Sequence, residues 1–129
     1  MNLLLDTHIW LWSLLEPELL GKRALRELKA PGNEVWLSPV STWEALLLHT
    51  KDKIHLGKDP GQWIERASGN FREAPLTHEI AIAAHGLRLM HADPADRFLA
   101  ATAKVLGLTL VTADQKLLGL GEIATLANR

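Results

Sequence analysis

The chain has 129 residues, 47% of them hydrophobic, and Lys plus Arg at 14 against Asp plus Glu at 15 gives a formal net charge of −1. That length suits one domain spanning residues 1–129, with a core hiding roughly two-thirds of the unfolded surface, and the apolar content excludes disorder. Near-neutral charge excludes a broad basic face for nucleic acid, so a polyanionic ligand would need another source of positive charge, such as a divalent metal, and the absence of cysteine excludes disulfides and zinc-thiolate sites.

Met1 to Asp6 has no basic leader, and Asp6 interrupts its apolar run early, unlike a signal peptide. No stretch approaches the roughly 18 apolar residues of a membrane span. These features point to a soluble cytoplasmic chain without membrane contact. Leu3 to Leu5 reads as a buried parallel strand ending at Asp6. Ile9 to Leu15 reads as a helix, apolar on nearly every face and therefore buried all round or shared with a partner. Glu16-Pro17-Glu18 breaks it. Gly21 to Ala30 suits a second helix, Pro31-Gly32-Asn33 a turn, and Glu34 to Leu37 a second strand.

Ser38-Pro39 opens a helix to about His49, with Ser at the cap and Pro at the first position. Trp36 and Trp43 read as core or near-core. Lys51 to Gly57 looks like a polar linker whose lysines could meet RNA phosphates, although solvent is the simpler partner. Asp59-Pro60 starts a helix to about Ala67, and a short strand is expected near Ala74 to Leu76. Thr77 would cap a helix from His78 to Met90. Asp93-Pro94 opens another through Lys104, closed by Gly107. Leu108 to Thr112 reads as a strand, with a last one at Ile123 to Leu126. Strands alternating with helices predict an α/β sandwich around a mostly parallel sheet, whose ligand site lies outside the carboxyl ends of the strands.

Four acids fall at that edge, and each has a plainer reading. Asp6 could simply cap the first helix. Glu44 completes a capping box, Ser41-Thr42-Trp43-Glu44; if Ser38 is the cap instead, Glu44 lies further into the helix beside Leu47 and Leu48, an apolar stripe on which an acid needs a partner. Asp96 shares a helical face with Leu99, Ala100 and Ala103, with the helix dipole or Arg97 as the ordinary explanation. Asp114 could cap Gln115 to Leu118. Thr7 and Thr112 are placed to orient neighbouring carboxylates, and His8 and His91 flank the region. An all-oxygen set of this kind favours Mg²⁺ or Mn²⁺, ions that can activate water and stabilise charge on a phosphodiester.

At these residues the chain resembles the PIN-domain family, and within it the VapC-type toxins of bacterial toxin–antitoxin pairs. The resemblance is carried by Leu3-Leu4-Leu5-Asp6-Thr7-His8, by Ser38 to Glu44, by His91 to Ala101 and by Leu110 to Asp114, in that order along nearly the whole chain. It implies a three-layer α/β/α sandwich with a five-stranded parallel sheet, a single PIN-like domain, and an endoribonuclease dependent on Mg²⁺ or Mn²⁺. It carries the catalytic and metal-binding roles onto Asp6, Glu44, Asp96 and Asp114. Asp96 is preferred over Asp93 because the family's acid stands three residues before a Leu-Ala-Ala run; Asp93 would then be a cap or a supporting acid. An RNA substrate, a cognate antitoxin and a homodimer are also implied. Two other functions stay open: a PIN-like module that binds RNA or protein without cutting, and a receiver-like domain with a phosphoacceptor Asp.

Overall fold

The computed structural model describes residues 1–89 and 93–129. Its strands are β1 (Asn2–Leu5), β2 (Glu34–Leu37), β3 (Arg72–Glu73), β4 (Thr109–Thr112) and β5 (Ala124–Ala127). They form one five-stranded sheet in the order β3-β2-β1-β4-β5, and every neighbouring pair is parallel. Seven α-helices among the described residues flank it: α1 (Thr7–Leu15), α2 (Lys22–Lys29), α3 (Pro39–Thr50), α4 (Pro60–Ser68), α5 (His78–Gly86), α6 (Pro94–Leu106) and α7 (Gln115–Leu118). None is long and apolar enough to cross a membrane.

Strand periodicity explains the three layers. Successive side chains point to opposite faces of a sheet. Leu4 and its register partner Leu110 join one core with Ile80 of α5, Leu99 and Ala100 of α6, and Leu117 of α7. Leu3, Leu5 and Val111 join the other with Ile9 and Trp10 of α1, Ala45 of α3 and Ile64 of α4. Both faces of the central strands are covered, which is why Leu3-Leu4-Leu5 is apolar without alternation.

The helix starts follow local chemistry. Ser38, Asp59, Thr77, Asp93 and Asp114 each accept a hydrogen bond from a backbone N–H in the first turn of the following helix. Gly107 closes α6 in the left-handed conformation, φ 67°, where a Cβ would be strained.

Several expectations shift. The third strand is Arg72–Glu73 rather than a segment near Ala74 to Leu76. It is a polar edge strand, held by pairing to β2 and by Arg72, which lies 4.3 Å over the Trp36 ring and bonds Glu34 at 2.6 Å. Helix α5 stops at Gly86, short of Met90, which lies outside the described residues together with His91 and Ala92. Leu87 is extended, and the Arg97 guanidinium donates to the carbonyls of Ala84, Leu87 and Leu89, satisfying the end of the helix. The last strand runs one residue later than expected. Pro17–Leu19 forms a 3₁₀ turn where only a break was foreseen. Trp43 is 58% exposed instead of near-core, because capping by Ser38 turns Val40, Ser41 and Ala45 inward and Trp43 outward. Helix α1 is not buried all round: Leu14 and Leu15 are exposed.

Candidate active site

The sheet order places a crevice where the acids lie. Strands β1 and β4 are neighbours, yet the chain leaves them towards opposite faces, α1 packing into one core and α7 into the other. Divergence of this kind opens a crevice at the carboxyl edge. Asp6 follows β1 directly, its N–H donating to Val111 O at 3.0 Å, and Asp114 follows β4. Helix α3 descends from the end of β2 and offers Glu44 from its second turn. Helix α6 returns to the start of β4, so its first turn, with Asp96, stands at the same edge. A cleft of about 390 Å³ is lined by Asp6, Glu44, Asp96 and Asp114 together with Asp93, His8 and Trp12. All four expected acids therefore share one cleft. The same cleft argues against a receiver-like domain: among the described residues no lysine lines it, and the sheet order, β3-β2-β1-β4-β5, differs from the 2-1-3-4-5 order of receivers.

The plainer readings of these acids meet different fates. Asp6 occupies the cap position of α1, but its side chain makes no capping bond. Only 6% exposed, it accepts a 2.6 Å hydrogen bond from the Thr112 hydroxyl instead. The capping box at Glu44 does not form, since Ser38 is the cap of α3. Thr7 Oγ1 lies within hydrogen-bond distance of both Glu44 Oε1 and Ser41 Oγ. A carboxylate only accepts, so the single Thr7 proton goes to Glu44 and Ser41 donates to Thr7. Arg97 is turned to the carbonyls behind α6 and does not pair with Asp96. Asp93 and Asp114 do cap, bonding the N–H groups of Ala95 and Lys116 at 3.2 and 2.8 Å. Asp114 N–H in turn donates to Thr112 Oγ1 at 3.0 Å, so Thr112 braces both Asp6 and the loop that carries Asp114.

Crowding of like charges in a partly dry cleft sets the electrostatics. Burial pushes the Asp6 carboxyl above its ordinary range, opposed by the Thr112 hydrogen bond. Burial raises Glu44 as well, opposed by Thr7. Asp96 is pushed up to about 7, first by burial and then by repulsion from Asp6, Asp114, Glu44 and Asp93. Among the described residues no Lys or Arg lines the cleft, and His8 is the one basic side chain that partly offsets Asp6 and Glu44. Among the described residues no three His, Asp or Glu side chains converge closely enough to enclose an ion by themselves.

Trp12 enters this site although the sequence pointed only to core or partner. It stands one turn after exposed His8 on α1, ring centroids 5.9 Å apart, and the i, i+4 spacing is the signal that could have linked it to His8. His91, the other flanking histidine, lies outside the described residues.

Comparison with known proteins bears on the same residues. A PIN domain family model matches residues 3–123. Ribonuclease VapC22 of Mycobacterium tuberculosis is 30% identical over 117 residues, covering 90% of this chain and 89% of that one. The fold is also that of the VapBC2 complex of Rickettsia felis bound to a promoter DNA fragment, with TM-score 0.74, 17% identity and 98% of each chain covered. DNA-bound VapBC of Salmonella typhimurium gives TM-score 0.73 at 16% identity over 100% of this chain and 99% of that one. From the family match and the near full-length alignment, this chain belongs to the PIN domain family.

Proposed function

We propose that this chain is a cytoplasmic, divalent-metal-dependent endoribonuclease, the toxin of a toxin–antitoxin pair, with Asp6, Glu44, Asp96 and Asp114 as its acidic centre. One observation carries the reading: these carboxylates and Asp93 share a cleft that no Lys or Arg lines among the described residues, and burial and repulsion raise Asp6, Glu44 and Asp96 although His8 stands beside them. A fold does not keep such repulsion without a cation to relieve it. A relative named as a ribonuclease, and neighbours solved as VapBC complexes, agree with it.

The residues present fit a hard cation. Every acidic donor is a carboxylate oxygen, the chemistry of Mg²⁺ or Mn²⁺, and Mg²⁺ keeps several waters, so a set too open to enclose an ion by itself suits it. Asp6, Glu44 and Asp96 would hold the ion, with Asp114 adding to the field. Bound there, such an ion supplies positive charge to the phosphodiester and acidifies water. The chain's own residues prepare the site. The hydroxyls of Thr112 and Thr7 hold Asp6 and Glu44 in fixed orientation, as outer partners of metal ligands do. The proton that Asp96 retains near pH 7 is the one a cation displaces, so cation affinity rises with pH through that region. His8 and Trp12 stand at the rim, where RNA would enter.

The partners in this reading are an RNA substrate, a cognate antitoxin that covers the site, and a second copy of the chain as a homodimer. The test is cleavage of single-stranded and structured RNAs with Mg²⁺ or Mn²⁺, with EDTA, and with Asp6→Asn. The reading expects cutting only by the parent protein with metal. Cutting that persists in Asp6→Asn would sink the site assignment. Failure of the parent protein both to cut and to bind metal would favour a PIN-like module that binds without cutting.

A further inference from the structure

The acid cleft does not end at His8 and Trp12. A second cleft of about 400 Å³ runs along α1 and the end of α3, and these two residues line both. Lys51 and Lys53 line the second one. Both are exposed, and neither joins an ion pair among the described residues.

The segment that bears the lysines is built, not slack as a linker would be. At the end of α3 the Asp52 N–H donates to His49 O at 3.1 Å and the Lys53 N–H to Leu48 O at 2.9 Å. This bond pair is a Schellman closure. Asp52 takes its left-handed position, φ 55°, which a non-glycine residue adopts only at some cost. Three residues on, the Leu56 N–H donates to His49 Nδ1 at 3.1 Å, and the Leu56 side chain is buried. Pinned at both ends, the turn sets Lys51 and Lys53 along the cleft while Asp52 does not line it.

We propose that this second cleft is a subsite for the RNA strand beside the cut phosphodiester: Lys51 and Lys53 hold backbone phosphate, and the Trp12 ring takes a base. The proposal rests on the ribonuclease reading above. The charge pattern favours RNA as the occupant. Carboxylates dominate the first cleft and repel phosphate. Among the described residues Lys51 and Lys53 are the only Lys or Arg side chains lining the two clefts, and beside Leu11, Leu15, Leu48 and Ile54 the second holds one acid, Glu16. The His8 and Trp12 rings are inclined by 57° with centroids 5.9 Å apart, and Trp12 is half-buried, so its open part faces the cleft it lines. A ring beside two ammonium groups is how proteins hold single strands without reading sequence.

The direct test is anisotropy of a fluorescein-labelled single-stranded RNA octamer titrated with Asp6→Asn, which binds without cutting; the parent protein in EDTA repeats it without any substitution at the site. Lys51→Ala combined with Lys53→Ala should weaken binding roughly tenfold and flatten the slope of log affinity against log salt by about 1.4. Arginine at both positions should keep affinity. Trp12→Leu, which retains apolar bulk for packing, should weaken binding about tenfold through lost stacking. In the metal-loaded parent protein, the double alanine change should raise KM and spare kcat. Affinity and salt slope unchanged in the double variant would overturn the subsite, as would follow if the cleft seats an apolar protein segment. If the parent protein cuts RNA while the lysine changes do nothing, the subsite alone falls. If it neither cuts nor binds RNA, the ribonuclease reading falls and the subsite falls with it.

Discussion

Acidic residues at two places on this molecule behave in opposite ways. On the outer surface Glu122 accepts from the Arg88 N–H at 3.0 Å and from Lys104 at 3.3 Å, and these donors hold its carboxyl below the ordinary range. In the cleft at the carboxyl edge of the sheet, Asp6, Glu44 and Asp96 are all held above that range. The same fold that pairs acids with bases elsewhere turns Arg97 away from Asp96 and spends its donors on carbonyls. Neutral hydroxyls, which orient a carboxylate without cancelling its charge, are what it supplies to the cleft. The contrast is what the proposed cation site calls for, an acidic cleft whose occupant brings its own positive charge.

The largest effect should follow from breaking the cleft. Asp6→Asn keeps the shape and removes one charge, and metal-dependent RNA cleavage should fall roughly 100-fold or more, measured by product formation on a labelled RNA. Next comes the bracing. Thr112→Val keeps volume but removes the donor to Asp6 and the acceptor for Asp114, and cleavage or metal affinity should drop about 10–100-fold; a variant as active as the parent protein would show that the hydroxyl positions nothing.

Stability should sharpen the contrast further. The folded chain holds a proton on Asp96 up to about pH 7, whereas the unfolded chain releases it near 3.8. The metal-free protein should therefore lose stability as pH rises between those values and regain it on acidification. Asp96→Asn should weaken that dependence, leaving the smaller part due to Asp6 and Glu44, and raise metal-free stability at pH 8 by about 1–2 kcal/mol after discounting for solvent screening, a few degrees in thermal melts. Glu122 has the opposite sign. Its depressed carboxyl favours folding above the ordinary glutamate range and loses that contribution in acid. Glu122→Gln should be the smallest change, with no resolvable effect on cleavage and little on melting, because surface pairs contribute little.

Where a residue's own chemistry dictates the backbone, the sequence was readable. The runs Leu3 to Leu5 and Leu110-Val111 announced the central strands, and Ser38-Pro39, Thr77 and Asp93-Pro94 announced helix starts with their caps. Arg72–Glu73 was hidden because an exposed edge strand is held by β2 and the Trp36 ring, not by apolar pattern. The end of α5 was hidden because buried Leu87 continues the helical spacing of Ile80 and Ala84, while the interaction that ends the helix comes from Arg97 on another element. The acids were legible as candidates but ambiguous as caps. What separates Asp6 from a cap is a bond to Thr112, 106 residues away, which no local pattern encodes. The family resemblance named the four acids; the cleft they share, which no Lys or Arg lines among the described residues, needed the fold.

Calorimetric titration of Mn²⁺ into the metal-free protein at pH 7, in two buffers of different ionisation enthalpy, bears most directly on the cleft as a cation site. The account predicts saturable binding that releases about half a proton, since Asp96 titrates near 7. It also predicts loss of the proton release in Asp96→Asn and of binding in Asp6→Asn. Absence of binding, or binding unchanged by both substitutions, would contradict it.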